Sequence, residues 1–189
     1  MSLSILTVHA HPDDESSKGP GTISLYSSQG VRTTLVCCTG GEVGDILNPA
    51  MDRDEVKKNL PAVRRAELDS AAAIIGYDEV VMLGYRDSGM PDSEDNNHPE
   101  AFANAELDVA VARLVKIIRR VRPQVIMTYP EVQNRYPHPD HLQVTAISIP
   151  AFDRAGDPDW YPDAGPPHEP TKLYAPIWSK QRLLLTHQA

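Results

Sequence analysis

The sequence predicts an α/β domain, a Rossmann-like three-layer α/β/α arrangement around a mostly parallel sheet. Apolar runs of strand length alternate with stretches of helical periodicity, and each strand-length run is apolar throughout. A strand that is apolar on both faces is covered on both faces, as in the parallel sheets of βαβ units. Polar residues also gather just after these runs, at the edge where such sheets bind their ligands.

The elements follow in chain order. Residues 4–8 read as the first strand, running into His9-Ala10-His11-Pro12-Asp13-Asp14-Glu15. Residues 22–29 are expected to form a short helix closed by Gly30, and 33–38 a second strand ahead of a Gly40-Gly41 turn. Residues 61–75 read as a helix, with Pro61 near its start and Gly76 as its stop. Residues 80–83 are a third strand. Between 105 and 121, Leu107, Val111, Leu114, Val115 and Ile118 repeat at helical spacing and stop before Pro123. Residues 125–128 form a fourth strand, and a helix starting near Asp140 runs to about Phe152. Residues 153–170, rich in Pro, Gly and Asp, read as a loop before a last strand at 172–177.

A length of 189 residues suits one domain, so residues 1–189 are read as a single catalytic domain. Leu183-Leu184-Leu185 resembles the opening of a longer helix, so the native chain is expected to extend beyond Ala189. The net charge is -8, and the densest basic cluster is only Arg119, Arg120 and Arg122. That argues against a nucleic-acid partner. No run is apolar enough to span a membrane, and no signal-peptide pattern opens the chain. Two adjacent cysteines, Cys37 and Cys38, suit a reducing cytoplasm. A homo-oligomer stays open.

Two turns carry the chemistry, His11-Pro12-Asp13-Asp14 and His138-Pro139-Asp140-His141. Catalytic zinc takes about three ligands from His and carboxylate and leaves a position for water. His11 and Asp14 offer a nitrogen and an oxygen three residues apart, and His141 from another strand end completes the set. Bound water then falls in pKa from about 15.7 toward roughly 7. Asp13 would take its proton as general base. His138 would stabilise the oxyanion or protonate the departing amine, with Asp140 orienting it or raising its basicity. A plainer reading stands beside this one, since Asp14 and Asp140 are also ordinary N-cap residues. His9, His98, His168 and His187 read as structural or solvated. Iron could replace zinc at such a site.

Ala10-His11-Pro12-Asp13-Asp14-Glu15 together with Pro137-His138-Pro139-Asp140-His141 resembles the LmbE-like zinc de-N-acetylases. Within that family the likeness is strongest to the mycothiol S-conjugate amidases. It is carried by Asp14-Glu15-Ser16-Ser17-Lys18-Gly19, Thr39-Gly40-Gly41-Glu42, Ile46-Leu47-Asn48-Pro49-Ala50-Met51-Asp52 and Tyr136-Pro137-His138. Arg86-Asp87-Ser88-Gly89-Met90 is shared with the sister deacetylases. The resemblance implies zinc on His11, Asp14 and His141, with Asp13 as base and His138 acting on the tetrahedral intermediate. It further implies a mobile Tyr136 that polarises the carbonyl, and Glu42, Arg64 and Asp87 on sugar and inositol hydroxyls. The implied substrate is a glucosaminyl-inositol thiol conjugate, or in the alternative an N-acetylglucosaminide.

Other readings of these residues remain. Tyr136 also reads as an aromatic packed in a loop, and Arg64 with Glu67 as an exposed helix pair. Pro130-Glu131-Val132-Gln133-Asn134-Arg135 replaces a shorter loop with paired glycines, which should stiffen the approach to Tyr136. From a different class, the chain could be a non-catalytic sugar-binding α/β module. It has no G-x-G-x-x-G after its first strand.

Overall fold

The computed structural model describes residues 3–133 and 137–177, together with Ser179, Gln181 and Leu184. Tyr136, Leu183, Leu185 and His187 lie outside the described residues. Five parallel strands, β1 (Ser4–His9), β2 (Arg32–Thr39), β3 (Glu79–Tyr85), β4 (Val125–Met127) and β5 (Lys172–Tyr174), form one sheet in the order β3-β2-β1-β4-β5. The three-layer parallel architecture is the one expected.

Side chains alternate across β1, so its two faces feed different layers. Leu6, Val8 and Ala10 pack with Val36, Cys38 and Ile126 against one helix pair. That pair is α5 (Leu107–Val121) and α6 (Pro139–Arg154). Ile5 packs on the opposite face with Ile23 of α2 (Pro20–Ser28) and Ile75 of α4 (Leu60–Ile75). Cys37 joins this second layer and Cys38 the first, so the two thiols point apart and stay free.

Several boundaries moved. Helix α2 starts at Pro20, two residues before the expected Thr22, because proline is pre-set for the first helical turn. Leu107 is half exposed at the start of α5, while Val111, Leu114, Val115 and Ile118 are buried as expected. Strand β5 ends at Tyr174, short of residue 177. Two short helices, α1 (Asp14–Ser17) and α3 (Asp54–Lys58), had no periodic signal to announce them.

The loop at 153–170 is built around Arg119, which is 2% exposed. Its guanidinium donates to the carbonyls of Arg154, Ala155, Asp157, Trp160, Tyr161 and Gly165 at 2.7–3.4 Å. Segments with few apolar residues are thereby ordered by one buried cation.

Strand order reverses between β1 and β4, and the carboxyl ends of both open onto one crevice. Ligands of open parallel sheets bind at such a switch point. On β3 an extra residue interrupts the register with β2, where Met82 faces Cys37 but Tyr85 faces Thr39, and Gly84 takes φ 80°. The bulge re-aims the segment that carries Arg86, Asp87 and Ser88.

Candidate metal centre and active site

The turn after β1 is tight and strained. Asp13 has φ 113°, a region that L side chains rarely adopt. The His11 N–H donates to Asp14 Oδ2 (3.0 Å), and the Asp13 N–H donates to Glu15 Oε2 (2.8 Å). Glu15 is 1% exposed, so its carboxylate is a buried staple that holds the strained residue.

Across the crevice, α6 begins with His138 as its N-cap. His138 Nδ1 accepts the Asp140 N–H at 3.2 Å. Neither Asp14 nor Asp140 is an N-cap, since Asp13 and His138 hold those positions. The plainer capping reading of those two aspartates therefore fails.

The two turns meet. His11, His138 and His141 offer nitrogens within 4.8 Å of one another, and His11, Asp87 and Asp140 form a second such group around the same ring. Asp14 lies beside the first group, its Oδ2 3.6 Å from His11 Nδ1 and 3.6 Å from His141 Nε2. Tetrahedral zinc with bonds of about 2.0–2.1 Å sets its donors roughly 3.3 Å apart, so Asp14 sits close to ligand spacing from both rings.

Electrostatics point the same way. Burial opposes a charge on His11, yet hydrogen bonds to Asp14, Asp140 and Asp87 outweigh it and raise its pKa to about 12. Burial alone would raise Asp14, but contacts to His11 and His141 hold it well below the usual carboxylate range. Asp87 falls to about 2, where the His11 ring outweighs burial. Three buried carboxylates thus hold a positive charge in place, and a divalent cation satisfies the same demand. His138, by contrast, is lowered to about 4 by burial and by repulsion from His11 and His141.

The expected site residues fall in different places. His11, Asp13, Asp14, Arg64, Asp87, His138 and His141 line one cleft of about 430 Å³. Arg64 points into it rather than along its helix. Its guanidinium meets Asp13 Oδ2 at 3.0 Å and donates to the Pro12 carbonyl. Gly41 makes room for this, because a Cβ there would lie 3.2 Å from both Arg64 Nη2 and Pro12 Cδ.

Two further expected residues have partners that the sequence did not show. Asp140 was expected to orient His138 or raise its basicity, and its charge does raise the His138 pKa against burial. Its carboxylate turns the other way, to His11 Nε2 (3.0 Å) and to Ser88, because helix geometry aims position N2 back across the crevice. Glu42, which the resemblance places on sugar and inositol hydroxyls, lines a neighbouring cleft and accepts the Asp87 N–H (3.1 Å). Away from the cleft, His98 Nδ1 accepts the nearby Glu100 N–H and the His168 ring meets the distant Pro123 carbonyl, both structural contacts.

Other residues of the site were given no role by the sequence. Tyr129, 3% exposed, donates its hydroxyl to Asp14 Oδ2 and accepts the Ala10 N–H at 2.9 Å. Lys18 pairs with Asp14 Oδ1. The four-residue spacing of Asp14 and Lys18 was a readable hint once a helix was placed there. Ser88 lay inside a quoted family motif, but its role and that of Tyr129 could not be read, since their partners lie 52 and 115 residues away.

The profile of the PIG-L (GlcNAc-PI de-N-acetylase) family matches residues 6–152. This chain belongs to that family. The resemblance read from the paired histidine turns is thereby borne out. A mycothiol S-conjugate amidase of Streptomyces coelicolor is 45% identical over 177 residues, which cover 91% of this chain and 60% of that protein. A 1D-myo-inositol 2-acetamido-2-deoxy-alpha-D-glucopyranoside deacetylase of Acidothermus cellulolyticus is 48% identical over 164 residues, 83% of this chain and 56% of that protein. The chain thus spans between half and two thirds of these relatives.

Among solved structures, an N,N'-diacetylchitobiose deacetylase of Pyrococcus horikoshii superposes with TM-score 0.73 at 21% identity, covering 99% of this chain and 68% of that one. A 4-carboxy-2-hydroxymuconate hydratase of Pseudomonas putida superposes with TM-score 0.70 at 24% identity, covering 92% and 65%. These likenesses speak to the fold alone, and the hydratase shows that the fold hosts other chemistry. Among the described residues, no helix is long and apolar enough to cross a membrane.

Proposed function

We propose that the chain is the catalytic domain of a metal-dependent hydrolase of the PIG-L family, cleaving the amide on the 2-amino group of a glucosaminyl-inositol. The observation that carries this reading is the meeting of two His-Pro-Asp turns from β1 and β4 around three buried carboxylates. His11, Asp14 and His141 would hold zinc, with iron as the alternative ion. The ion would supply Lewis acidity and bring the pKa of water toward about 7.

The chain's own residues do the rest. Asp13, with its side chain 68% exposed at the cleft mouth, accepts the proton of the attacking water and returns it to the leaving amine. Arg64 fixes that carboxylate from the helix side. His138 uses Nδ1 as an acceptor, so its neutral ring carries hydrogen on Nε2 and offers it to the developing oxyanion. The family resemblance adds the Tyr136 hydroxyl to that oxyanion hole. Asp87 and Arg64 border the space for sugar hydroxyls, while Glu42 holds Asp87 through its backbone.

The preferred acyl group is an S-conjugated N-acetylcysteinyl unit, making the protein a mycothiol S-conjugate amidase of cytoplasmic thiol detoxification. The 45% identity to the Streptomyces amidase and the Ile46–Asp52 stretch support it. A second reading, an N-acetylglucosaminyl-inositol deacetylase, is favoured by the 48% identity to the Acidothermus enzyme. Mass spectrometry of the zinc-loaded protein with both substrates separates them. Release of S-conjugated N-acetylcysteine is expected, and acetate without that product would establish the deacetylase. A non-catalytic sugar-binding module would purify without stoichiometric metal and release neither.

A further inference from the structure

Ser88 is fully buried, and both of its hydrogen-bond donors are committed to one carboxylate. Its N–H donates to Asp140 Oδ2 (3.0 Å) and its hydroxyl donates to Asp140 Oδ1. That hydroxyl also accepts the Ala103 N–H at 2.9 Å, which leaves its single hydrogen for Asp140. Asp140 is itself 0% exposed, and Oδ2 takes its remaining bond from His11 Nε2 at 3.0 Å. A hydrogen held on Nε2 leaves the lone pair of the neutral ring on Nδ1, the nitrogen 3.6 Å from Asp14 Oδ2.

We propose that Ser88 is a positioning residue of the metal centre, setting the ring orientation and tautomer of His11 through Asp140. The inference rests on His11 being a metal ligand. Its logic is that a ligating imidazole is aimed by the partner of its other nitrogen, and that partner must itself be held. Ser88 holds it with two donors from the β3 end. Ala103 and Asn96 brace Ser88 in turn, Asn96 through its side-chain amide to the Ser88 carbonyl. No charge on Ser88 is involved, and it touches neither substrate space nor ion.

The test is zinc affinity, measured by competition with a fluorescent chelator. Ser88→Ala should weaken zinc binding roughly 10–100-fold. Asp140→Ala should weaken it at least as much, and Ser88→Ala added to Asp140→Ala should cost nothing more, because Ser88 acts through that carboxylate. Thr33→Val, which removes a buried hydroxyl bond to the Gly76 carbonyl at the far end of β2, serves as the stability control and should leave affinity unchanged. Wild-type affinity in Ser88→Ala, or losses that add fully in the double variant, would overturn the proposal. In the zinc-loaded wild type, nitrogen NMR should find His11 ligating through Nδ1 with hydrogen on Nε2, a readout that does not depend on any variant folding. Ligation through Nε2 overturns it too. Failure of the wild type to bind stoichiometric zinc overturns the metal-site reading itself, a distinct outcome.

Discussion

Arg64 on α4 and Asp13 on the β1 turn, 51 residues apart, close an ion pair of 3.0 Å at the mouth of the cleft. The pair joins a helix on one side of the sheet to the strained residue that the proposed reaction uses as its base. Its energetic worth is modest, because Asp13 is largely exposed. Its geometric worth is larger, since proton transfer depends on where the carboxylate points.

Arg64→Met should therefore lower kcat/KM by about 10–100-fold while zinc content stays at the wild-type level. Steady-state kinetics with parallel metal analysis checks this. Equal activity in the variant would remove Arg64 from the site.

Tyr129→Phe removes a hydroxyl that serves Asp14 and the Ala10 N–H at once. Both partners are buried, so the loss should cost about 1–3 kcal/mol of stability. Urea unfolding of the metal-free protein is the measurement, and an unchanged midpoint would mean that water replaces the hydroxyl.

His9 is fully buried, neither ring nitrogen has a partner among the described residues, and burial lowers its pKa from 6.5 to about 4. Between those values the unfolded chain binds a proton that the folded chain refuses, so stability falls as pH falls from 6.5 toward 4. The contribution lost is about 3 kcal/mol. His9→Gln in the metal-free protein should make that part of the stability profile shallower, leaving the share that His138 contributes, as followed by denaturation at several pH values.

Arg119→Met should destabilise the protein by about 3–5 kcal/mol, because six carbonyls lose their donor while the loop they belong to has little apolar surface. Limited proteolysis should cut first between residues 154 and 165. Cleavage elsewhere, or an unaltered melting temperature, would contradict the role given to the buried cation.

The sequence by itself determined the layered parallel sheet and the two turns at its carboxyl edge. Hydrophobic periodicity is a local property, and His-Pro-Asp turns sit beside the strands that aim them. It also marked His11, Asp13, Asp14, His138 and His141, which share one cleft. Tertiary structure alone decided how those residues are held. The Asp140 carboxylate serves His11 rather than the neighbouring His138, because the first turn of α6 points it across the crevice toward Ser88 and the β1 turn. Glu42 turned out to brace the Asp87 backbone, and the contacts of Tyr129 and Ser88 were silent in sequence. Their partners are reached only when strands 1, 3 and 4 stand side by side. Such contacts join segments far apart in the chain, so no pattern along the chain encodes them.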